Sequence, residues 1–183
     1  MAPADLSSAD RLSGSVAASL RGIPDFPTPG VLFKDITPLL ADPHVFGDVI
    51  AALAARHTGA VDLVAGVEAR GFIVGAALAH ALGVGFVPVR KAGKLPGETV
   101  SLAYDLEYGS ATIEVHADSF VGGERVLLVD DVLATGGTAA AAWELLEQVG
   151  GRVVEFDCIV ELAFLGGRER LADRAVHAVH VVS

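Results

Sequence analysis

Apolar residues recur along this chain in two alternating rhythms. Runs rich in Val, Leu and Ile at 61–67, 84–89, 126–129, 152–162 and 176–182 have the character of buried strands. Between them lie stretches with helical spacing at 44–57, 72–82 and 139–149. Residues 5–20 also predict an amphipathic helix, with Leu6, Leu12, Val16 and Leu20 roughly on one side. Asp42 and Pro43 offer an N-cap and a first-turn proline to the helix over 44–57. A short alternating strand is expected at 112–115, a polar turn at 104–109 and a short helix at 168–171. Strands alternating with helices predict an α/β fold with a doubly wound, mainly parallel central sheet.

Two stretches break the rhythm. Residues 23–40 contain Pro24, Pro27, Pro29 and Pro38, which forbid a long helix, yet they also hold Phe26, Val31, Leu32, Phe33, Ile36 and Leu39. An irregular segment this apolar must pack on the core or on a flat ligand. It is expected to form a small N-terminal hood, at about 21–41, over a core at about 42–183 within one domain. Residues 71–89 carry no formally charged side chain and are long enough to suggest a membrane span. Gly83, Gly85 and Pro88 interrupt them and His80 lies inside, so a buried helix followed by a buried strand is the better description.

Composition narrows the function classes. With 183 residues, 52% apolar and 20% charged, the chain can bury a sizeable core. A formal charge of −10 argues against a nucleic-acid partner, which would need clustered Lys and Arg. The single cysteine, Cys158, sits in an apolar run and predicts a buried core residue with no disulfide within the chain. Without a secretory pattern at the N-terminus, the cytoplasm is the expected compartment.

The chemistry concentrates at residues 126–138. A β-branched run there ends in Asp130 and Asp131, then passes through a turn of small residues, Ala134, Thr135, Gly136, Gly137 and Thr138, into a helix-forming stretch. At such a junction backbone N–H groups and the positive end of the helix dipole converge on an anion. No lysine follows the glycines, so this is not a nucleoside-triphosphate loop. Amides for a phosphate beside carboxylates for vicinal hydroxyls suit a sugar phosphate such as 5-phosphoribosyl-1-pyrophosphate. The three lysines, Lys34, Lys91 and Lys94, fall outside the expected helices, and Arg90 joins two of them in a basic loop expected to be mobile. In so acidic a chain this favours a site for a second, strongly negative group, and pyrophosphate fits. Arg70 falls between a strand end and a helix start, at the ligand-binding edge of the sheet.

The run of two acids followed by Ala134-Thr135-Gly136-Gly137-Thr138 resembles the fingerprint of the type I phosphoribosyltransferases. The likeness extends through residues 25–35, Glu68-Ala69-Arg70-Gly71-Phe72, residues 90–96 and residues 105–109, in the order found among the adenine phosphoribosyltransferases of that family. This resemblance implies a hood over a purine, with Phe33 stacked on the base, Leu32 offering backbone groups to its edge and Leu162 closing the other face. Lys34 stands where the family often has arginine. The resemblance further implies that Arg70, Lys91 and Lys94 bind pyrophosphate, that Asp130 and Asp131 hold the ribose hydroxyls, and that residues 134–138 hold the 5′-phosphate. Glu107, with Tyr108 beside it, would lie on a loop that closes over the reacting centre and would accept or relay the purine N9 proton. A non-proline cis peptide is expected at Glu68–Ala69, and a homodimer is implied.

The implied reaction needs no nucleophilic side chain, and no Ser/His/Asp arrangement is evident. Positioning of two substrates and stabilisation of the leaving group do the work. Mg²⁺ would be held mainly by substrate oxygens and water, with no dedicated protein metal ligands, since His44, His57, His80, His116, His177 and His180 lack zinc-like spacing. Two alternatives stay open at this point: a phosphoribosyltransferase for another base, and a nucleotide-sensing regulator on the same fold.

Overall fold

A computed structural model describes residues 7–25, 29, 32–105 and 109–183. Helix α1 (Ser8–Ser19) leads into a two-stranded antiparallel ribbon, β1 (Arg21–Pro24) and β2 (Leu32–Asp35). Two helices follow, α2 (Thr37–Ala41) and α3 (Pro43–His57). The sheet is then built from β3 (Leu63–Val67), β4 (Gly85–Lys91), β5 (Thr99–Asp105), β6 (Ser110–His116), β7 (Arg125–Leu133), β8 (Arg152–Leu162) and β9 (Val176–Val182). Helix α4 (Arg70–Leu82) connects β3 to β4, α5 (Gly137–Gln148) connects β7 to β8, and the short α6 (Gly167–Arg170) precedes β9. Strand order is β5-β6-β4-β3-β7-β8-β9, with β4, β3, β7, β8 and β9 parallel and β5 and β6 antiparallel at one edge.

Helices cover both faces, as a doubly wound sheet requires. On one face Trp143, Leu145 and Leu146 of α5 pack on Val126, Leu128 and Phe156. On the other, Val49 and Leu53 of α3 and Val74 and Leu78 of α4 pack on Val64, Leu127, Val129 and Ile159. Trp143 is fixed at both ends: its indole N–H donates to Glu147 at 2.9 Å, and the Arg174 guanidinium lies 5.3 Å above the ring.

The expected helix over 44–57 is present, and Asp42 caps it by accepting from the amides of His44 and Val45. The expected strands at 152–162 and 176–182 match β8 and β9, and Cys158 is fully buried. Three expectations need correction. The stretch 23–40 is not wholly irregular, because Ile23 pairs with Phe33 and Gly22 with Lys34, and Pro38 falls in the first turn of α2. Residues 99–105 form a strand, with Val100, Leu102 and Tyr104 turned onto the core. Their period-two pattern shows that no turn begins before Asp105. Arg90 and Lys91 are the last residues of β4, so the basic loop is shorter than expected.

The ribbon is tied down at Asp35, whose carboxylate accepts from the Thr37 hydroxyl and amide and from Arg21, so its pKa falls to about 2. A second buried polar contact joins His57 of α3 to Asp157 of β8 at 2.8 Å, with Glu155 nearby and itself paired to Arg56. A nitrogen of His57 and carboxylate oxygens of Glu155 and Asp157 stand within 4.8 Å of one another, a grouping that histidine spacing could not reveal. Replacing His57 with leucine leaves the Asp157 carboxylate buried and unpaired. Chemical denaturation should register a loss of about 3 kcal/mol or more, whereas a loss below about 1 kcal/mol would mean the carboxylate finds water instead.

Candidate active site

Strands β3 and β7 are neighbours at the centre of the sheet, and the chain winds outward from them in opposite directions. Their C-terminal ends therefore flank a crevice at the switch point, where open α/β sheets bind ligands. A cavity of about 1280 Å³ opens there. Leu32, Phe33 and Lys34 from the ribbon line it, as do Glu68, Ala69 and Arg70 after β3, Lys91 at the end of β4, Asp130 and Asp131 near the end of β7, Ala134 and Thr138 after it, and Leu162 at the end of β8. An adjoining niche of about 80 Å³ is lined by Asp130 and residues 132–139, which include Thr135, Gly136 and Gly137. Thirteen of the residues expected from sequence thus meet around one space, drawn from elements spread over 130 residues of chain.

Two sequence expectations fall elsewhere. The Lys94 side chain is exposed and does not line the cavity. Glu107 and Tyr108 lie outside the described residues. The cis peptide is present at Glu68–Ala69.

Charge is arranged in pairs. Arg70 Nε stands 2.9 Å from Asp131 Oδ2, and the guanidinium also lies 5.4 Å from the centre of the Phe33 ring. Arg70 therefore joins the acid pair to the ribbon, and does not pair with Glu68. The Glu68 carboxylate instead accepts from the Lys91 amide at 2.9 Å and from Arg90 at 3.4 Å. Asp131 is 5% exposed, yet its Oδ2 accepts no hydrogen bond, since the Arg70 contact lacks the angle for one. The Asp131 amide donates to Asp130 Oδ1 at 2.8 Å. Loss of hydration, and then the neighbouring Asp131 charge, push the Asp130 carboxyl well above the ordinary carboxylate range, while Arg70 pulls it back. Two adjacent acids that line the cavity beside one cation offer acceptor oxygens for hydroxyl groups or for a hydrated cation.

The small-residue turn lies between β7 and α5, and a distant segment packs on it. Gly136 has φ of 77°, and a Cβ there would stand 2.5 Å from the Gly167 carbonyl oxygen. A Cβ on Gly167 would stand 2.1 Å from the Ala134 carbonyl oxygen. The start of α6 thus presses backbone to backbone on the turn and sets its shape. Tyr104 shares a hydrogen bond of 3.1 Å with the Thr138 hydroxyl, which links β5 to the first turn of α5.

Sequence reasoning missed Gly167, Tyr104, Phe164, Leu165 and Glu114. Phe164 and Leu165 line the cavity and are 64% and 39% exposed, so the apolar rim extends beyond Leu162. Glu114 of β6 is buried and accepts from the amides of Lys94 at 2.8 Å and Leu95 at 2.7 Å. A lone charge inside an apolar strand was the available signal.

Cys158 offers no alternative chemistry, because burial holds its thiol well above the usual range and it does not line the cavity. A turn of small residues, an acid pair, basic groups at two strand ends and an apolar slot meet here, the set of groups a phosphoribosyltransferase site needs. The family model described as the phosphoribosyl transferase domain matches residues 39–180. Adenine phosphoribosyltransferase from Salinispora arenicola is 59% identical over 169 residues, covering 91% of this chain and 89% of that protein. The enzyme of that name from Streptomyces coelicolor is 61% identical over 154 residues, covering 83% and 84%. Among solved structures, adenine phosphoribosyltransferase from Thermoanaerobacter pseudethanolicus superposes with a TM-score of 0.89 at 48% identity, covering 92% of this chain and 99% of that one. The Saccharomyces cerevisiae enzyme, solved with an imino-altritol bisphosphate and adenine, gives 0.87 at 42% identity, covering 92% and 98%. The chain belongs to the adenine phosphoribosyltransferase family.

Proposed function

We propose that this enzyme transfers the 5-phosphoribosyl group of 5-phosphoribosyl-1-pyrophosphate to adenine, giving AMP and pyrophosphate in purine salvage. The observation that carries this reading is the meeting, around one cavity, of the residue 134–138 turn, the Asp130–Asp131 pair, Arg70 with Lys91, and the apolar slot of Phe33 and Leu162. The turn amides hold the 5′-phosphate at the start of α5. Asp130 and Asp131 accept hydrogen bonds from the ribose diol. Arg70 and Lys91 meet the pyrophosphate, and the exposed Lys94 side chain extends to it from a tethered backbone. The ribbon, with the rest of residues 21–41, serves as the hood, and Phe33 and Leu162 grip the purine between them.

Displacement at the anomeric carbon builds positive charge on the ribose and negative charge on the departing pyrophosphate. The acid pair faces the first, and Arg70 and Lys91 face the second. Glu107 takes the N9 proton of adenine, or relays it, as the new bond to carbon forms. Mg²⁺ fits the site, because the partly buried acid pair offers carboxylate oxygens to a hydrated cation, with no hydrogen bond to Asp131 Oδ2; donor oxygens and water would hold it, with Asp130 and Asp131 alongside. When bound it supplies charge neutralisation on the leaving group. We place the enzyme in the cytoplasm as a homodimer.

The test is pyrophosphate release in the presence of donor and Mg²⁺ with adenine, hypoxanthine, guanine and orotate offered in turn. Turnover with adenine alone is expected. Preference for another base would move the assignment to a sister enzyme, and no release with any base would remove the catalytic reading.

A further inference from the structure

We propose that Glu114 is a positioning residue that holds the basic loop between β4 and β5 in a donor-ready shape before pyrophosphate arrives. The inference rests on the reading of that loop as part of the pyrophosphate site. Glu114 lies in β6, between β5 and β4, and is 4% exposed between the buried Ile113 and Val115. A carboxylate in such a place destabilises the fold unless donors surround it. Its Oε1 accepts both the Lys94 amide at 2.8 Å and the Leu95 amide at 2.7 Å, and its Oε2 lies 3.4 Å from the Thr99 hydroxyl. These donors keep the carboxyl below its ordinary range, the Leu95 amide most of all, so it stays ionised at neutral pH.

The loop is held from its other side too. Arg90 donates to the Lys94 carbonyl at 3.1 Å, while Arg90 and the Lys91 amide both reach Glu68. Lys94 is therefore fixed through its N–H by Glu114 and through its C=O by Arg90, and its side chain is left exposed. Two consecutive amides turned onto one carboxylate oxygen form an internal anion site. The protein's own anion thus shapes the loop, so that ordering it does not fall on the incoming ligand. Glu114 itself does not line the cavity, and it acts through the loop.

Glu114→Ala and Glu114→Gln separate positioning from general support. The glutamine keeps a carbonyl oxygen for both amides, whereas alanine keeps nothing. Alanine should weaken Mg²⁺–pyrophosphate binding and raise the donor KM about tenfold, the worth of roughly one charge-assisted hydrogen bond. AMP, which carries no pyrophosphate, should bind both variants within about twofold of the parent chain, and glutamine should restore most of the pyrophosphate affinity. Unchanged pyrophosphate binding in the alanine variant overturns the proposal. So does an equal loss for AMP and pyrophosphate, which would mark a general structural role. Should the alanine variant not fold, amide hydrogen exchange in the parent chain decides: slow exchange at Lys94 and Leu95 supports the anchor, and free-chain rates overturn it. The exchange measurement needs no turnover. A parent chain that releases no pyrophosphate therefore defeats the functional reading, while fast exchange defeats the anchor itself.

Discussion

Gly167→Ala should nearly abolish donor binding, although Gly167 belongs to none of the segments that carry the phosphoribosyltransferase fingerprint. Its new Cβ would stand 2.1 Å from the Ala134 carbonyl oxygen and 3.1 Å from the Gly136 nitrogen. Backbone atoms cannot rotate away as a flexible side chain can, so the turn itself must move. The overpacking alone destabilises by about 1–3 kcal/mol. Displacing one or two amides that face a phosphate removes about 1.5–3 kcal/mol each, which corresponds to roughly 10–10⁴-fold weaker binding of ribose 5-phosphate or donor. Gly47→Ala is the matching control. Gly47 sits inside α3 with nothing within 4 Å of a built Cβ, so alanine there should be neutral or stabilising by up to about 1 kcal/mol. Titration of both variants with donor, alongside thermal melts, checks the pair. Equal donor affinity in the two would show that the turn's shape does not depend on α6.

The second large effect belongs to Arg70→Leu. Leucine keeps bulk beside Phe33 but removes the charge that faces both the acid pair and the cavity. Losing a preorganised charge at the leaving group should lower kcat/KM by about 10²–10³-fold. The pH dependence gives a separate signature. Arg70 lowers the pKa of Asp130, which burial and Asp131 raise. Without Arg70 that pKa rises further, so the acid pair holds a proton to higher pH and the acidic limb of the rate profile moves toward neutrality. Stability follows the same sign. A carboxyl raised on folding contributes stability below its unfolded pKa and loses it as pH rises through the folded value. The variant's deficit in melting temperature should therefore shrink on acidification. A deficit that grows on acidification, or a limb that stays in place, would remove Arg70 from the electrostatics of the pair.

What was legible in the chain follows a physical line. Strands β8 and β9 and helix α3 are written locally, as unbroken apolar runs or as Asp42-Pro43 before a periodic stretch, and their positions emerged directly. The phosphate turn is also local, because small residues at a strand–helix junction have few other uses. What stayed hidden depends on partners far along the chain. Ile23 opposite Phe33 makes a ribbon that the prolines between them disguise. Glu114 finds its amides about twenty residues away, and His57 meets Asp157 across one hundred. Gly167 looks like an ordinary loop glycine until Ala134 is seen against it. The expected mobility of the basic loop failed to foresee these tethers, because composition reports charge and says nothing of what restrains the backbone.

The chain has a single tryptophan, and it rides on the helix that opens at the proposed phosphate site. Trp143 stands about 9 Å along the helix axis from Gly137 at 1.5 Å per residue, beneath the Arg174 guanidinium. All indole fluorescence therefore arises from one place, between the Glu147 carboxylate and the Arg174 guanidinium. Any tilt of that helix, or change of charge at its tip, has an unlabelled optical readout already installed.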